Sequence, residues 1–448
     1  MKISATAKLQ SLKWHQKVFG IFILALFLRL VPLLLFSATQ IADAQDYHTL
    51  AVALASGDGF STNGQPTAYR PIGYPLFLAG ISALFGVEIG AAQFTQSLLG
   101  ALSCVLLAVV GRFWYSERIG LLASLGLALY PESILYSQLL MTEVLYVFLF
   151  LLGIWLATLG WRTSSWRRGL VSGLIVGAMV LVRPVALVLL GVIPFCDLST
   201  LNMREFFRRV CIVCIGCAVL VTPWMARNWL VLGQPVLATN GGVDLWIGNN
   251  PHATGRYNWS DEMRQQILTG NDEIENDRIA REAALTYIFN DFGRFMKAGA
   301  VKLAYYFGLE ATSVNWLNLG GDPIFAKPII RVAMFAGVNI GYIVLVALAL
   351  LALATAGRST WSQHTPFLML LAASILPYTI FFGESRFHYP IIPLLMLLGA
   401  VGITKAYLFF RNTNNSWSSR LRWRSLAVWG ALMALFIVSI IYTTLNRI

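Results

Sequence analysis

Two aspartates three residues apart, Asp43 and Asp46, are followed by Tyr47 and His48 and then by Tyr69, Arg70 and Tyr74. Carboxylates so placed can take a proton from a hydroxyl. A guanidinium can hold a phosphate through paired hydrogen bonds. A helix is expected from Asp43, because Tyr47, Leu50, Ala51 and Leu54 recur at i, i+3, i+4 and i+7. The three-residue spacing sets both carboxylates on one side of its first turn, where the helix N-terminus favours their ionised form. Gly57-Asp58-Gly59 ends that helix, and Pro66, Pro71 and Pro75 keep the next segment out of helix. Leu76 to Phe85 is apolar but about half the length a membrane span needs. It reads as a helix lying in the membrane interface.

The elements that must hold these residues are membrane spans. Of 448 residues, 57% are hydrophobic and 12% charged, against about 25% charged in a soluble protein. The chain is therefore expected to be an all-α polytopic membrane protein, folded as one domain over 1–448. Its net charge of +12 comes from 33 Lys and Arg against 21 Asp and Glu. The positive residues cluster between spans, as the positive-inside rule requires, and no nucleic-acid partner is expected. Lys2, Lys8, Lys13 and Lys17 precede a first apolar run too long for a signal peptide and without a cleavage site. That run is a first span with a cytoplasmic N-terminus.

Spans are expected at 18–38, 89–110, 119–131, 142–160, 169–182, 185–195, 208–224, 328–354, 364–382, 390–409 and 425–444, about eleven in all. Arg112, Arg118, Arg162, Arg167, Arg168, Arg204, Arg208, Arg209, Arg358 and the arginines of 411–424 then fall on the cytoplasmic side. Most acids fall outside. Residues 39–88 form the first outer loop, the catalytic one in this reading, and 225–327 a large, partly helical outer loop. Residues 410–424 form a cytoplasmic linker before the last helix. Cys211, Cys214 and Cys217 lie in an apolar span without a nearby carboxylate or histidine and read as small packing residues; no disulfide is expected.

Further charges gather at the outer face. Arg183-Pro184 interrupts an apolar stretch, which makes either one broken span or two short ones, as tolerated beside a water-filled cavity. Glu132 and Glu143 lie in the fragment from Pro131-Glu132 to Met141-Thr142-Glu143, Arg227-Asn228 follows Pro223-Trp224, and Glu384-Ser385-Arg386-Phe387-His388-Tyr389-Pro390 joins two spans. Ionisable groups at such depth are functional candidates. The pairs Asp277–Arg281 and Arg278–Glu282 read instead as a solvated helix face. Arg29, inside the first span, is expected to snorkel or to pair with a buried acid.

Several fragments resemble one family. They are Asp43-Ala44-x-x-Tyr47-His48-x-Leu50-Ala51, Gly57-x-Gly59-Phe60, Tyr69-Arg70-Pro71-x-Gly73-Tyr74-Pro75, the Gly173–Pro184 run ending in Arg183-Pro184, Pro223-Trp224-x-x-Arg227-Asn228 and Gly242–Pro251. Together they resemble the GT-C membrane glycosyltransferases of the protein mannosyltransferase and aminoarabinose transferase type. The turn after Glu384 is similar to that family's too, with His388 and Tyr389 following Phe387 as a departure.

The resemblance implies a GT-C-type fold in the plasma (inner) membrane. It also implies a polyprenyl-phosphate-linked sugar donor, and transfer on the non-cytoplasmic face to a glycolipid, polysaccharide or protein acceptor. The lipid phosphate then needs positive charge, for which Arg70, Arg183, Arg227, Arg386, His388 and Tyr389 are candidates. Asp43, matching the family's first-loop acid, is the expected base, with Asp46 second, and the sugar carbon inverts. Tyr47, His48, Tyr69, Tyr74, Glu132, Glu143 and Glu384 are candidates for the acceptor or for support. A divalent cation, Mg²⁺ or Mn²⁺, is left open, since carboxylates abound but no spacing specifies a site. The rival reading is a transporter or flippase of lipid-linked sugars, which calls for charges at mid-membrane and a pseudo-repeat.

Overall fold

The computed structural model describes residues 5–36, 39–163, 165–196, 202–270, 272–356, 358–411 and 419–445. The helices are α1 (Ala5–Leu35), α2 (Asp43–Ala55), α3 (Gly73–Phe85), α4 (Ile89–Trp114), α5 (Glu117–Leu129), α6 (Pro131–Leu135), α7 (Thr142–Arg162), α8 (Trp166–Val182) and α9 (Met203–Leu232). There follow α10 (Gly241–Gly248), α11 (Asp261–Ile267), α12 (Glu273–Asn290), α13 (Phe292–Tyr306) and α14 (Thr312–Leu319). The last are α15 (Pro328–Ala354), α16 (Arg358–Ile375), α17 (Pro377–Ile380), α18 (Ile392–Arg411) and α19 (Ser419–Leu445). Among the described residues the strand pairing is confined to a hairpin of β1 (Ser61–Thr62) and β2 (Gln65–Pro66). Its turn is Asn63-Gly64, both at positive φ, the combination a two-residue hairpin demands.

Seven helices among the described residues are long and apolar enough to cross a membrane: α1, α4, α7, α9, α15, α18 with the turn before it, and α19. The chain is an integral membrane protein. The pair α5 and α6, bent by 60°, makes an eighth if it is one span. The expected count of eleven is higher for identifiable reasons. Pro184 pushes Arg183 into an extended conformation, φ −145° and ψ 110°, so α8 stops after 17 residues. The expected span at 185–195 is a pair of 3-10 turns, Pro184–Gly191 and Ile193–Cys196, rather than a crossing helix. Around 364–382 a short helix breaks at Pro377. The large loop also starts later than expected, because α9 continues through Arg227 and Asn228 to a left-handed Gly233 cap. Of the linker expected at 410–424, residues 412–418 lie outside the described residues.

Small residues let the helices that carry the site approach closely. A Cβ on Gly173 or Gly216 would lie 2.5 Å and 2.4 Å from backbone oxygens of the facing helix, so α8 and α9 pack backbone to backbone. Arg29 neither snorkels nor meets an acid. Pro131 has no N–H to give Leu127, and fully buried Arg29 takes over, donating to the carbonyls of Ala25, Leu127 and Ala128 and to Ser133 Oγ at 2.7 Å. A buried arginine thus fastens the α5–α6 bend.

Outside the spans, α10 and α12 share a small apolar core of Val243, Trp246, Ile247, Ala280 and Ala284 with Phe382. Asp277, expected on a solvated face, is in fact buried. Its Oδ1 accepts from the N–H of Gly242 at 2.5 Å, and it is paired with Arg281. Arg278, with Glu275 and Glu282, does stay in solvent. The Gly-Asn-Asn run closes the other end of α10. Asn249 Nδ2 donates to Ile380 O at 2.8 Å, Lys302 Nζ donates to both Asn249 Oδ1 and Ile380 O, and a Cβ on Gly248 would overlap Phe381 O. So α10 is held at both ends.

Candidate functional site

A cavity of about 470 Å³ opens where the first loop, the α8 break, α10, α14 and the 381–387 turn converge. Asp43 sits on its wall, in the first turn of α2. Residue Ala42 before it has φ 49° and ψ −126°, a strained setting for a residue with a Cβ. Arg70 Nη2 meets Asp43 Oδ1 at 2.6 Å and Asp46 Oδ2 at 2.7 Å, while Arg386 Nη1 meets Asp43 Oδ2 at 2.6 Å. Both oxygens of Asp43 are therefore occupied by guanidinium. Burial raises its proton affinity, yet Arg386 and Arg70 more than offset this and hold the carboxyl at about 2. Arg70 lies over the rings of Tyr47 and Tyr69, and Arg386 over Trp316 and Phe387.

A third arginine completes the wall. The residue before Pro184 is forced out of helix, and that places Arg183 on the cavity. Its Nη2 meets the fully buried Glu143 at 2.5 Å and its Nε donates to Thr142 Oγ1 at 2.7 Å, whereas Nη1 is buried with no hydrogen-bond partner among the described residues. A donor without an acceptor beside two further arginines is ready for an anion.

The other expected site residues divide. Tyr47, Tyr69 and Glu384 line the cavity; Glu143 acts on it through Arg183. Asp46 is half exposed and holds Arg70 from the side. His48 is half-buried and is not on the cavity wall. Arg227 braces the first loop instead, donating to the carbonyls of Thr67 and Phe60 at 2.9 and 3.0 Å. Tyr74 donates to Gln96 and Tyr389 to Ser133 Oγ, both inside the packed bundle.

His388 and Glu132 belong to a separate buried cluster. Ser313 Oγ donates to Glu132 Oε2 at 2.5 Å, His388 Nε2 faces Glu310 Oε1 at 2.8 Å, and the His388 ring stacks on Tyr342 at 4.5 Å. His388 Nδ1 faces the Tyr306 carbonyl at 2.6 Å, which can only accept, so Nδ1 carries its proton. A second proton lies between Nε2 and Glu310. Burial pushes the Glu310 carboxyl up to about 8, so this acid keeps its proton at neutral pH and donates it to Nε2. None of these three side chains lines the cavity.

Sequence reasoning missed several wall residues: Asn240, Asp244, Tyr257, Trp259, Thr312 and Trp316. Asp244 stands in the first turn of α10 and accepts from Asn240 Nδ2 at 3.1 Å. Burial, opposed by Arg70 and Arg386, raises its carboxyl to about 7. Its signal was an acid inside the fragment ending at Pro251 that carries the family resemblance. The cavity shares Val185, Tyr378 and Phe387 with a narrow apolar cleft lined also by Tyr146, Val188, Leu189, Ala373 and Pro390. The arrangement offers a cationic floor, one clamped carboxylate, one unclamped, and an apolar exit.

Residues 69–226 match the family model of dolichyl-phosphate-mannose-protein mannosyltransferases. No curated protein matches the chain. Among solved structures, the Archaeoglobus fulgidus oligosaccharyltransferase AglB, in complex with an inhibitory peptide and a dolichol-phosphate, is 13% identical with a TM-score of 0.51, over 94% of this chain and 55% of that one. The apo form of the oligosaccharyltransferase from the same organism gives 13% and 0.50, over 95% and 55%. ArnT from Cupriavidus metallidurans bound to undecaprenyl phosphate gives 13% and 0.41, over 91% and 80%. The chain spans about half the length of the archaeal structures. It shares the fold of the archaeal oligosaccharyltransferase.

Proposed function

We propose that this protein transfers a sugar from a polyprenyl-phosphate carrier to an acceptor hydroxyl or phosphate on the non-cytoplasmic face of the membrane. The observation that carries this reading is the junction of Arg70, Arg183 and Arg386 in one cavity with an apolar cleft. A lipid-linked phosphate is the ligand that needs both. The archaeal protein of the same fold binds dolichol-phosphate, which supports the reading.

In the donor, a phosphodiester joins sugar and lipid. The prenyl tail leaves past the apolar side chains of Val185, Tyr378 and Phe387, and the phosphate sits against the guanidiniums on the donors that the Asp43 clamp leaves open, Arg183 Nη1 among them. As the sugar–oxygen bond breaks, its electron pair passes to the phosphate, whose charge rises from one to two. Arginines fixed beforehand stabilise that charge without reorganising, the largest single contribution such a site can make. The acceptor oxygen enters from the opposite side, so the sugar carbon inverts. Tyr257, Trp259 and Trp316 give the sugar apolar faces to rest on. Among the described residues no three carboxylate, histidine or cysteine side chains gather to hold a metal ion, and Asp43 has both oxygens engaged. No step is routed through a cation.

The test is acceptor-dependent release of polyprenyl phosphate by purified protein from a panel of radiolabelled polyprenyl-phosphate sugars. Turnover of at least one donor is expected. No turnover of any, with movement of those lipids across vesicle membranes, would replace this reading with the transporter.

A further inference from the structure

We propose that Asp244, not the first-loop Asp43, takes the proton of the acceptor hydroxyl. This rests on the glycosyl-transfer reading and names a residue for it. Three carboxylates line the cavity: Asp43, Asp244 and Glu384. Asp43 has an arginine on each oxygen, so a proton arriving there must displace a guanidinium. Asp244 makes no ion pair among the described residues. Among the described residues Asn240 engages its Oδ2 and no group donates to its Oδ1. Its helix is also the better platform. Asp277 holds the start of α10 through Gly242, and Asn249 and Gly248 lock its end against 380–381. Glu384 stands on an open turn rather than a helix.

Charge separates the two aspartates further. The groups acting on Asp244 are Arg70, Arg386, Asp43 and Asp277, with Tyr69 and Tyr257 at the rim. Burial outweighs the two arginines, and the carboxyl rests at about 7 while Asp43 rests at about 2. Two acids in one cavity driven apart in this way mark a division of labour. Asp43 stays ionised and aims the arginines. Asp244 sits where a base works best at neutral pH. In the step, the acceptor O–H bond breaks and its proton goes to Asp244. The oxygen's electron pair forms the new bond to the sugar carbon, and the old bond's pair leaves with the phosphate. Charge balances: the carboxylate becomes neutral as the phosphate gains one negative charge. In the next cycle Asp244 returns its proton to water.

The experiment measures transfer against pH for the full-length wild type, Asp244→Asn, Asp244→Glu and Glu384→Gln, with binding of polyprenyl monophosphate measured for each. For the wild type, kcat/KM is expected to fall about tenfold per pH unit below a midpoint near 7. Asp244→Asn should lose roughly a hundredfold or more in kcat and this acid limb, yet bind the lipid phosphate within about threefold of wild type. Asp244→Glu should recover part of the rate. The assignment is overturned if Asp244→Asn keeps the limb and a rate within about tenfold of wild type, or if Glu384→Gln removes the limb instead. An inactive wild type would overturn the glycosyl-transfer reading, and the base with it.

Discussion

The cavity around Asp43 and the buried cluster around His388 are built from the same kinds of residue, only a few positions apart in the chain. Arg386 and His388 are two residues from each other, yet one faces open volume and the other is sealed. In the cavity, Asp43 meets two guanidiniums and stays charged. In the cluster, His388 meets Glu310 and a carbonyl, Glu132 meets a serine, and the chemistry there is of shared protons. A buried acid without a cation keeps its proton, whereas one between two arginines cannot. Charge near the membrane edge therefore does not by itself mark a site. Space beside the charge does.

The sharpest way to test the part that space plays is to remove one arginine of the cavity and one that braces a loop away from it. Arg386→Ala should lower transfer by about two to three orders of magnitude, the scale of a preorganised donor to a developing anion, with the fold retained. Arg227→Ala, whose guanidinium serves the Thr67 and Phe60 carbonyls and Asn228 Oδ1, should leave lipid-phosphate binding within about threefold and cost about 1–3 kcal/mol of stability. Equal losses in both would erase the distinction between cavity and brace.

Stability against pH sharpens it next. Asp43 has its folded pKa lowered from 3.8 to about 2, so its contribution is complete above pH 4 and is lost as pH falls through about 2, some 2 kcal/mol in all. Asp244 and Glu310 have theirs raised to about 7 and about 8, so each favours the fold below its unfolded value and loses that advantage as pH rises through the folded one. Asp244→Asn should accordingly melt higher than wild type at pH 8 and equal to it at pH 4, while Asp43→Asn melts lower at both. A thermal melt series reads this without any turnover. The opposite ordering would mean that the two aspartates share one environment. The smallest effect expected is that of a chelator: on the proposed function, with Arg70, Arg183 and Arg386 facing the phosphate, transfer should be unchanged in EDTA.

Much of the fold was legible in the sequence. The apolar runs marked the long helices, and the Asp43 helix began at the residue its periodicity indicated. Asn-Gly gave the hairpin turn, although that stretch was read simply as non-helical. What escaped was decided by local backbone chemistry or by distant partners. The apolar segment after Pro184 has the composition of a span, but the proline and its predecessor set it into 3-10 turns. Arg70 and Arg386 could be named as candidates, but their meeting on Asp43 joins residues 343 positions apart. Burial of His388, Glu132 and Tyr389 depends on which faces the bundle closes over. The weight of Asp244 depends on α12, which buries its helix and gives it no cation.

The most direct test of the central claim is equilibrium binding of polyprenyl monophosphate to the purified protein, wild type against the Arg70→Ala/Arg386→Ala pair, with melting temperature as a check on folding. Wild type should bind the lipid phosphate and the double variant should lose it by at least about a hundredfold, two guanidiniums contributing some 1.5–3 kcal/mol each. Equal binding by both folded proteins would contradict the assignment of this cavity to the lipid phosphate.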